Sequence, residues 1–103
     1  MSVLLEFAMF PTDKGDSVSA YVSKVIEMIR NSGCDYKLTA MGTIIETNTM
    51  EEALEIINKS YLVLEPHSNR IYSSIKFDIR KGQTGRLKKK LESIENKIGP
   101  VNI

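Results

Sequence analysis

Residues 3 to 10, VLLEFAMF, alternate so that Val3, Leu5, Phe7 and Met9 share one face of an extended chain and Leu4, Glu6, Ala8 and Phe10 the other. Both faces carry large apolar groups, which predicts a central strand covered on both sides. PTDKGDS ends it with Pro, Gly and two Asp. A helix follows, capped by Asp16 or Ser17. Val18, Tyr21, Val22, Val25, Ile26 and Ile29 repeat at helical spacing, and Gly33 is placed to take the left-handed stop. YKLTAMGTIIETN reads as a hairpin. With Met41 and Gly42 at its tip, Ala40 pairs with Thr43, Leu38 with Ile45 and Tyr36 with Thr47. Methionine is a poor residue for such a turn, so a longer loop that swaps the faces stays open.

Thr49 and Glu52 form a T-x-x-E capping box ahead of a second helix, whose stripe is Met50, Leu54, Ile57, Tyr61 and Leu64, ending at Pro66. RIYSSIKFDIR is the next strand, with Ile71, Ser73, Ile75, Phe77 and Ile79 on one face. Leu87, Leu91, Ile94 and Ile98 mark a terminal helix closed by Gly99 and Pro100. The order β-α-β-β-α-β plus a helix is the ferredoxin-like pattern, an α+β sandwich. Two right-handed crossovers put both main helices on one face of a four-stranded antiparallel sheet of order 4-1-3-2, with the C-terminal helix as an addition. Residues 1–103 make a single domain.

Composition narrows the partners. Fourteen basic against thirteen acidic residues leave a net charge of +1, too balanced for nucleic acid or an anionic membrane as the main partner. The basic cluster Arg86 to Lys90 shares its helix with Glu92 and Glu95 and reads as a solvated face. No stretch reaches the roughly 20 apolar residues of a membrane helix. The start MSVLLEFAMFP lacks a basic leader segment and reads as a strand, not a signal peptide. A single cysteine, Cys34, excludes an internal disulfide and suits a reducing cytoplasm. With one histidine, His67, the chain offers no metal site of its own, and no cofactor-binding motif is present. Catalysis by His67 or Cys34 is the minority reading.

The uncovered sheet face is expected to carry Leu4, Phe10, Ile44 and Tyr72, more apolar surface than a monomer leaves in water. A second copy, or the terminal helix folding across, is expected to cover it. Glu6 and Glu46 fall on the same face, in the expected company of Lys37, Lys76 and Arg80, as either an interface salt-bridge network or a ligand's acidic partner.

The segment SVSAYVSKVIEMIRNSGCDYKLTAMGTIIET followed by RIYSSIKFDIR resembles the small thiamine-binding protein family, from about Val3 to Ile98. The resemblance implies a ferredoxin-like homotetramer that binds thiamine, or its hydroxymethylpyrimidine half, without transforming it. It implies Thr43 and Glu46 as binding residues, with Met41 and Gly42 shaping the tip and Ser17 and Ser19 at the helix start as further candidates. The chemistry suits: an aminopyrimidine presents amine donors beside ring-nitrogen acceptors, which a carboxylate and a hydroxyl satisfy, between walls such as Met41, Phe10, Tyr36 or Tyr72. Thr43 and Glu46 have opposite parity, so a flat sheet face cannot present both. The implied role is that of a cytoplasmic carrier, buffer or sensor. The alternative is an oligomeric regulatory or structural module that docks a partner protein without a small ligand. A thiamine-metabolising enzyme would need Glu6 and Glu46 as its acid-base pair.

Overall fold

The computed structural model describes residues 1–103. Its elements run β1 (Ser2–Pro11), α1 (Ser19–Asn31), β2 (Asp35–Thr39), β3 (Gly42–Thr47), α2 (Met50–Leu64), a 3-10 turn (Glu65–His67), β4 (Ile71–Arg80) and α3 (Arg86–Ile98). The strands form one antiparallel sheet of order β2-β3-β1-β4, the order expected from two right-handed crossovers. Radius of gyration is 14.9 Å, against about 13 Å for a compact chain of this length. Peripheral α3, with no buried residue, fits that elongated shape.

The core is a single layer between the sheet and the two main helices. Val3, Leu5, Phe7 and Met9 of β1 and Ile45 of β3 meet Val25 and Ile29 of α1 and Ala53, Ile56 and Leu64 of α2. The alternation along β1 thus sends its odd-numbered set inward. Phe77 and Ile75 of β4 lie opposite Leu5 and Phe7 on that same side.

Three local expectations shift. The hairpin turns at Ala40–Met41: Thr39 pairs with Gly42, Leu38 with Thr43 and Tyr36 with Ile45. The Thr39 hydroxyl explains why. It accepts from the amides of Met41 (3.3 Å) and Gly42 (3.2 Å) and donates to the Gly42 carbonyl (2.8 Å), closing the turn locally. No non-glycine residue has positive φ, so the turn avoids the primed geometry that methionine resists. Pairing slides by two residues, which preserves parity, so every side chain keeps its expected face. Gly42 enters the strand instead of the tip, where a Cβ would stand 3.0 Å from the Phe7 carbonyl.

Second, α1 starts at Ser19 behind Val18, which offers no side-chain cap, and neither Asp16 nor Ser17 caps it. Gly33, at φ +79°, does take the left-handed stop. Third, α2 is capped by the Thr49 hydroxyl accepting from Glu52 N at 3.1 Å, as the capping box requires, but its buried stripe is rotated. Ala53, Ile56, Ser60 and Leu64 face the core, while Leu54 and Tyr61 stand 51% and 42% exposed. Small side chains at 53 and 60 let the helix approach the sheet, and Ser60 satisfies its hydroxyl on the Ile56 carbonyl at 2.7 Å.

Ile56→Ala is expected to cost about 2–5 kcal/mol, and Leu54→Ala well under half of that, in chemical denaturation of dilute protein. Equal losses would place the core stripe on the other side of α2.

Candidate functional site

The two ends of β3 support two different arrangements. Near the hairpin tip, the second half of β1 (Phe7 to Phe10), the middle of α1 (Val22, Val25, Ile26) and Leu38 to Thr43 enclose an apolar groove of about 210 Å³. Ten of its thirteen lining residues are hydrophobic, so a flat, poorly hydrated ring is the kind of occupant it suits. Its side-chain polar groups are two threonines. Thr39 is committed to the turn, whereas Thr43, 5% exposed, borders the groove with a hydroxyl that no hydrogen bond within the chain engages. Thr43 faces inward because Phe7 and Leu38 flank it in register. A second, shallower hollow adjoins along the outer side of α1. It shares Val22, Ile26 and Leu38 with the groove and adds Ser19, Ser23, Glu27 and Arg30. Apolar depth therefore opens onto a polar, charged rim.

At the other end, Glu46 points to the opposite sheet face and is 9% exposed. Its carboxylate accepts from the Ser2 hydroxyl (2.5 Å) and from the backbone amides of Arg86 (3.0 Å) and Leu87 (3.1 Å). Those amides are the orphan donors of the first turn of α3, whose own N-cap, Gly85 at φ +68°, has no side chain to offer. Glu46 thus caps a helix 40 residues away in sequence. The Arg86 guanidinium completes the clamp, donating to the Ser2 hydroxyl (3.0 Å), the Ser2 carbonyl (2.8 Å) and the Asp78 carbonyl (2.6 Å), and pairing with the Asp78 carboxylate at 3.2 Å. Burial acts to raise the Glu46 carboxyl, but the Ser2 hydroxyl, the two amides and the Arg86 charge outweigh it and hold it below the ordinary glutamate value of 4.5.

The expected site residues therefore separate. Gly42, Thr43 and Met41 border the groove, Met41 at the tip and 90% exposed. Glu46 is not with them, nor with Lys37, Lys76 and Arg80, because the nearer donors Ser2 and Arg86 occupy it. Ser19 lies on the outer rim, its carbonyl accepting from Ser23 at 2.7 Å, while Ser17 is exposed in the preceding loop and Tyr36 packs against the core. Sequence reasoning missed Val22, Val25, Ile26, Leu38 and Thr39 as site residues. Their apolar spacing signals only a buried stripe, and nothing local marks a groove. Around Glu46 a polar hollow of about 370 Å³ includes Cys34, Asp35, Glu52 and Gly85. No group of three or more metal-ligating side chains gathers anywhere, and no helix is long and apolar enough to cross a membrane.

The family model described as "Thiamine-binding protein" matches residues 5–95. The chain belongs to the thiamine-binding protein family. Among its relatives, the UPF0045 protein MJ1052 of Methanocaldococcus jannaschii is 33% identical over 92 residues, covering 89% of this chain and 91% of that one. The UPF0045 protein Mb1933 of Mycobacterium bovis is 30% identical over 95 residues, covering 92% and 93%. The crystal structure of MJ1052 superposes with a TM-score of 0.79 at 34% identity over 90% of this chain and 95% of that one. A candidate thiamine biosynthesis/salvage protein from Thermotoga maritima shares the fold, with a TM-score of 0.77 at 18% identity over 90% and 99%. The membership inferred from the MGT-x-x-E hairpin and the KFDIR strand is thus shown, and so is the α+β architecture.

Glu46 gives a pH dependence of definite sign. Its folded value lies below its unfolded one, so its contribution is fully present above the unfolded value of 4.5 and is lost as pH falls through the folded value. Glu46→Gln is expected to cost about 1–3 kcal/mol near neutrality and to flatten the acid limb of a stability-versus-pH curve measured by thermal melting. An unchanged acid limb in the variant would contradict the capping role.

Proposed function

We propose that the protein binds thiamine, or its hydroxymethylpyrimidine half, in the groove at the hairpin tip and does not transform it. It serves in the cytoplasm as a carrier, buffer or sensor and works as a homo-oligomer, in its full form a tetramer. Membership of the thiamine-binding family supplies the ligand class. The single observation that carries the location is Thr43, a nearly buried threonine with an unengaged hydroxyl beside apolar walls. In this reading its hydroxyl meets the amino group or a ring nitrogen, and Phe7, Val25 and Leu38 take the ring's faces. At about 210 Å³ the groove suits the pyrimidine half, with the thiazolium emerging toward the rim that carries Glu27. A cation leaving an apolar slot gains from an acidic group at its mouth.

Binding without turnover is the reading favoured over an enzyme. Of the two carboxylates an acid-base mechanism would need, Glu46 is consumed as a helix cap, and Glu6 is exposed and faces the other side of the sheet from the groove. Self-association is supported by apolar side chains left half in water, Tyr72 at 55% and Ile79 at 49% exposed.

Calorimetric titration tests the ligand. Thiamine and hydroxymethylpyrimidine are each expected to release heat on binding, with affinity reduced about ten-fold in Thr43→Val by loss of one hydrogen bond. Glu46→Gln should bind within about three-fold of wild type, because it lies at the other end of β3. No heat with either ligand would defeat the reading. A Glu46→Gln loss exceeding that of Thr43→Val would move the site to the α3 end.

A further inference from the structure

The stripe that α1 turns toward the edge strand β2 changes character along its length. Val22, Ser23, Ile26, Glu27 and Arg30 recur at helical spacing and, with the half-exposed Leu38, line one hollow of about 480 Å³. Val22, Ile26 and Leu38 also wall the groove, so the two spaces share a boundary and one ligand can extend through both. Uncharged donors are scarce in the hollow, because Ser23 has its hydroxyl committed to the Ser19 carbonyl at 2.7 Å. Charge enters only at the far end. Glu27 follows Ile26 directly, and Arg30 lies one turn beyond Ile26. The ion pairs of the chain are Lys59 with Glu55 and Arg86 with Asp78, so neither Glu27 nor Arg30, both exposed, is neutralised by a neighbour. From Thr43 outward the order is therefore a hydroxyl between apolar walls, then a carboxylate, then a guanidinium.

We propose that this order selects the phosphate ester of thiamine over free thiamine, with Arg30 as the specificity-determining residue. The inference rests on the groove reading above, which seats the pyrimidine beside Thr43 and sends the thiazolium toward Glu27. The hydroxyethyl arm of the thiazolium then continues along α1 toward Arg30. Eight residues of helix separate Val22 from Arg30, about 12 Å of rise, comparable to an extended pyrimidine-thiazolium-phosphate chain. Free thiamine ends in a neutral hydroxyl, for which the Arg30 charge does little, while the same charge mildly repels the thiazolium. An ester ends in a phosphate, whose oxygens match the planar fork of the guanidinium in a bidentate, charge-assisted contact. Positive then negative along the ligand thus meets negative then positive along the helix. A phosphate carried on the pyrimidine half alone has no thiazolium to space it from the groove, so it falls short of Arg30. Because Arg30 is exposed, its contact is screened by water and weakens as salt is added.

Calorimetric titration at low ionic strength tests the assignment, with thiamine, thiamine monophosphate and hydroxymethylpyrimidine monophosphate as the probes. Wild type is expected to bind thiamine monophosphate about ten-fold more tightly than thiamine, the effect of one exposed charge-assisted contact, and added salt should shrink that margin. Arg30→Gln should erase the margin while holding thiamine within about two-fold of wild type, a result that also shows the variant to be folded. Arg30→Lys should keep part of the margin, since it retains the charge and loses the fork. Hydroxymethylpyrimidine monophosphate should bind wild type and Arg30→Gln alike. An ester bound no better than thiamine, or a margin that survives in Arg30→Gln, would overturn the proposal. Thiamine that binds without preference for its ester defeats this inference and leaves the groove reading standing, whereas no heat from any probe defeats both.

Discussion

In β3 the side chains of Thr43 and Glu46 stand three residues apart, and a strand's two-residue period sends them to opposite sides of the sheet. Pairing of Thr43 with Phe7 and of Glu46 with Leu4 locks that division in place. One side becomes the wall of an apolar groove, the other the anchor of a helix. Neither residue can exchange roles with the other without a register slip that would also expel Ile45, fully buried between them, from the core.

The anchor explains how α3 is held despite burying no residue. A helix end with bare amides needs acceptors, and the Glu46 carboxylate supplies them from the middle of the sheet while Arg86 reaches back to Ser2 and Asp78. The attachment is concentrated at one end, so Leu87 and Leu91 are half-buried while the far end of the apolar stripe of α3 stays in solvent, with Ile94 and Ile98 at 39% and 74% exposed. The half-exposed β4 and α2 surfaces add to the apolar area that the chain leaves in water.

Element order, strand order and the face taken by every sheet residue were legible, because alternation, helical spacing and the capping box at Thr49 are local signals that agree with the global fold. The family was legible as well, in the hairpin and KFDIR patterns taken together. The hairpin tip was not: Thr39 supplies side-chain hydrogen bonds that make a methionine turn acceptable, an effect hidden behind the preference for glycine in primed turns. The α2 stripe misled because counting large apolar residues ranks Leu54 above Ala53, whereas close packing against a sheet selects the smaller one. Glu46 was singled out for its carboxylate, but the intramolecular contacts it makes were not legible. Its donors come from Ser2 and Arg86, 44 and 40 residues distant, and no local pattern announces them.

Mapping backbone amide shifts by nuclear magnetic resonance as thiamine is added tests the central claim most directly, because it reports where the ligand sits and not only that it binds. Shifts concentrated at Phe7 to Phe10, Val22 to Ile26 and Leu38 to Thr43, with Ser2, Glu46 and Arg86 unmoved, are the expected result. Shifts centred on Glu46 and the start of α3, or none at saturating ligand, would contradict the assignment of the groove.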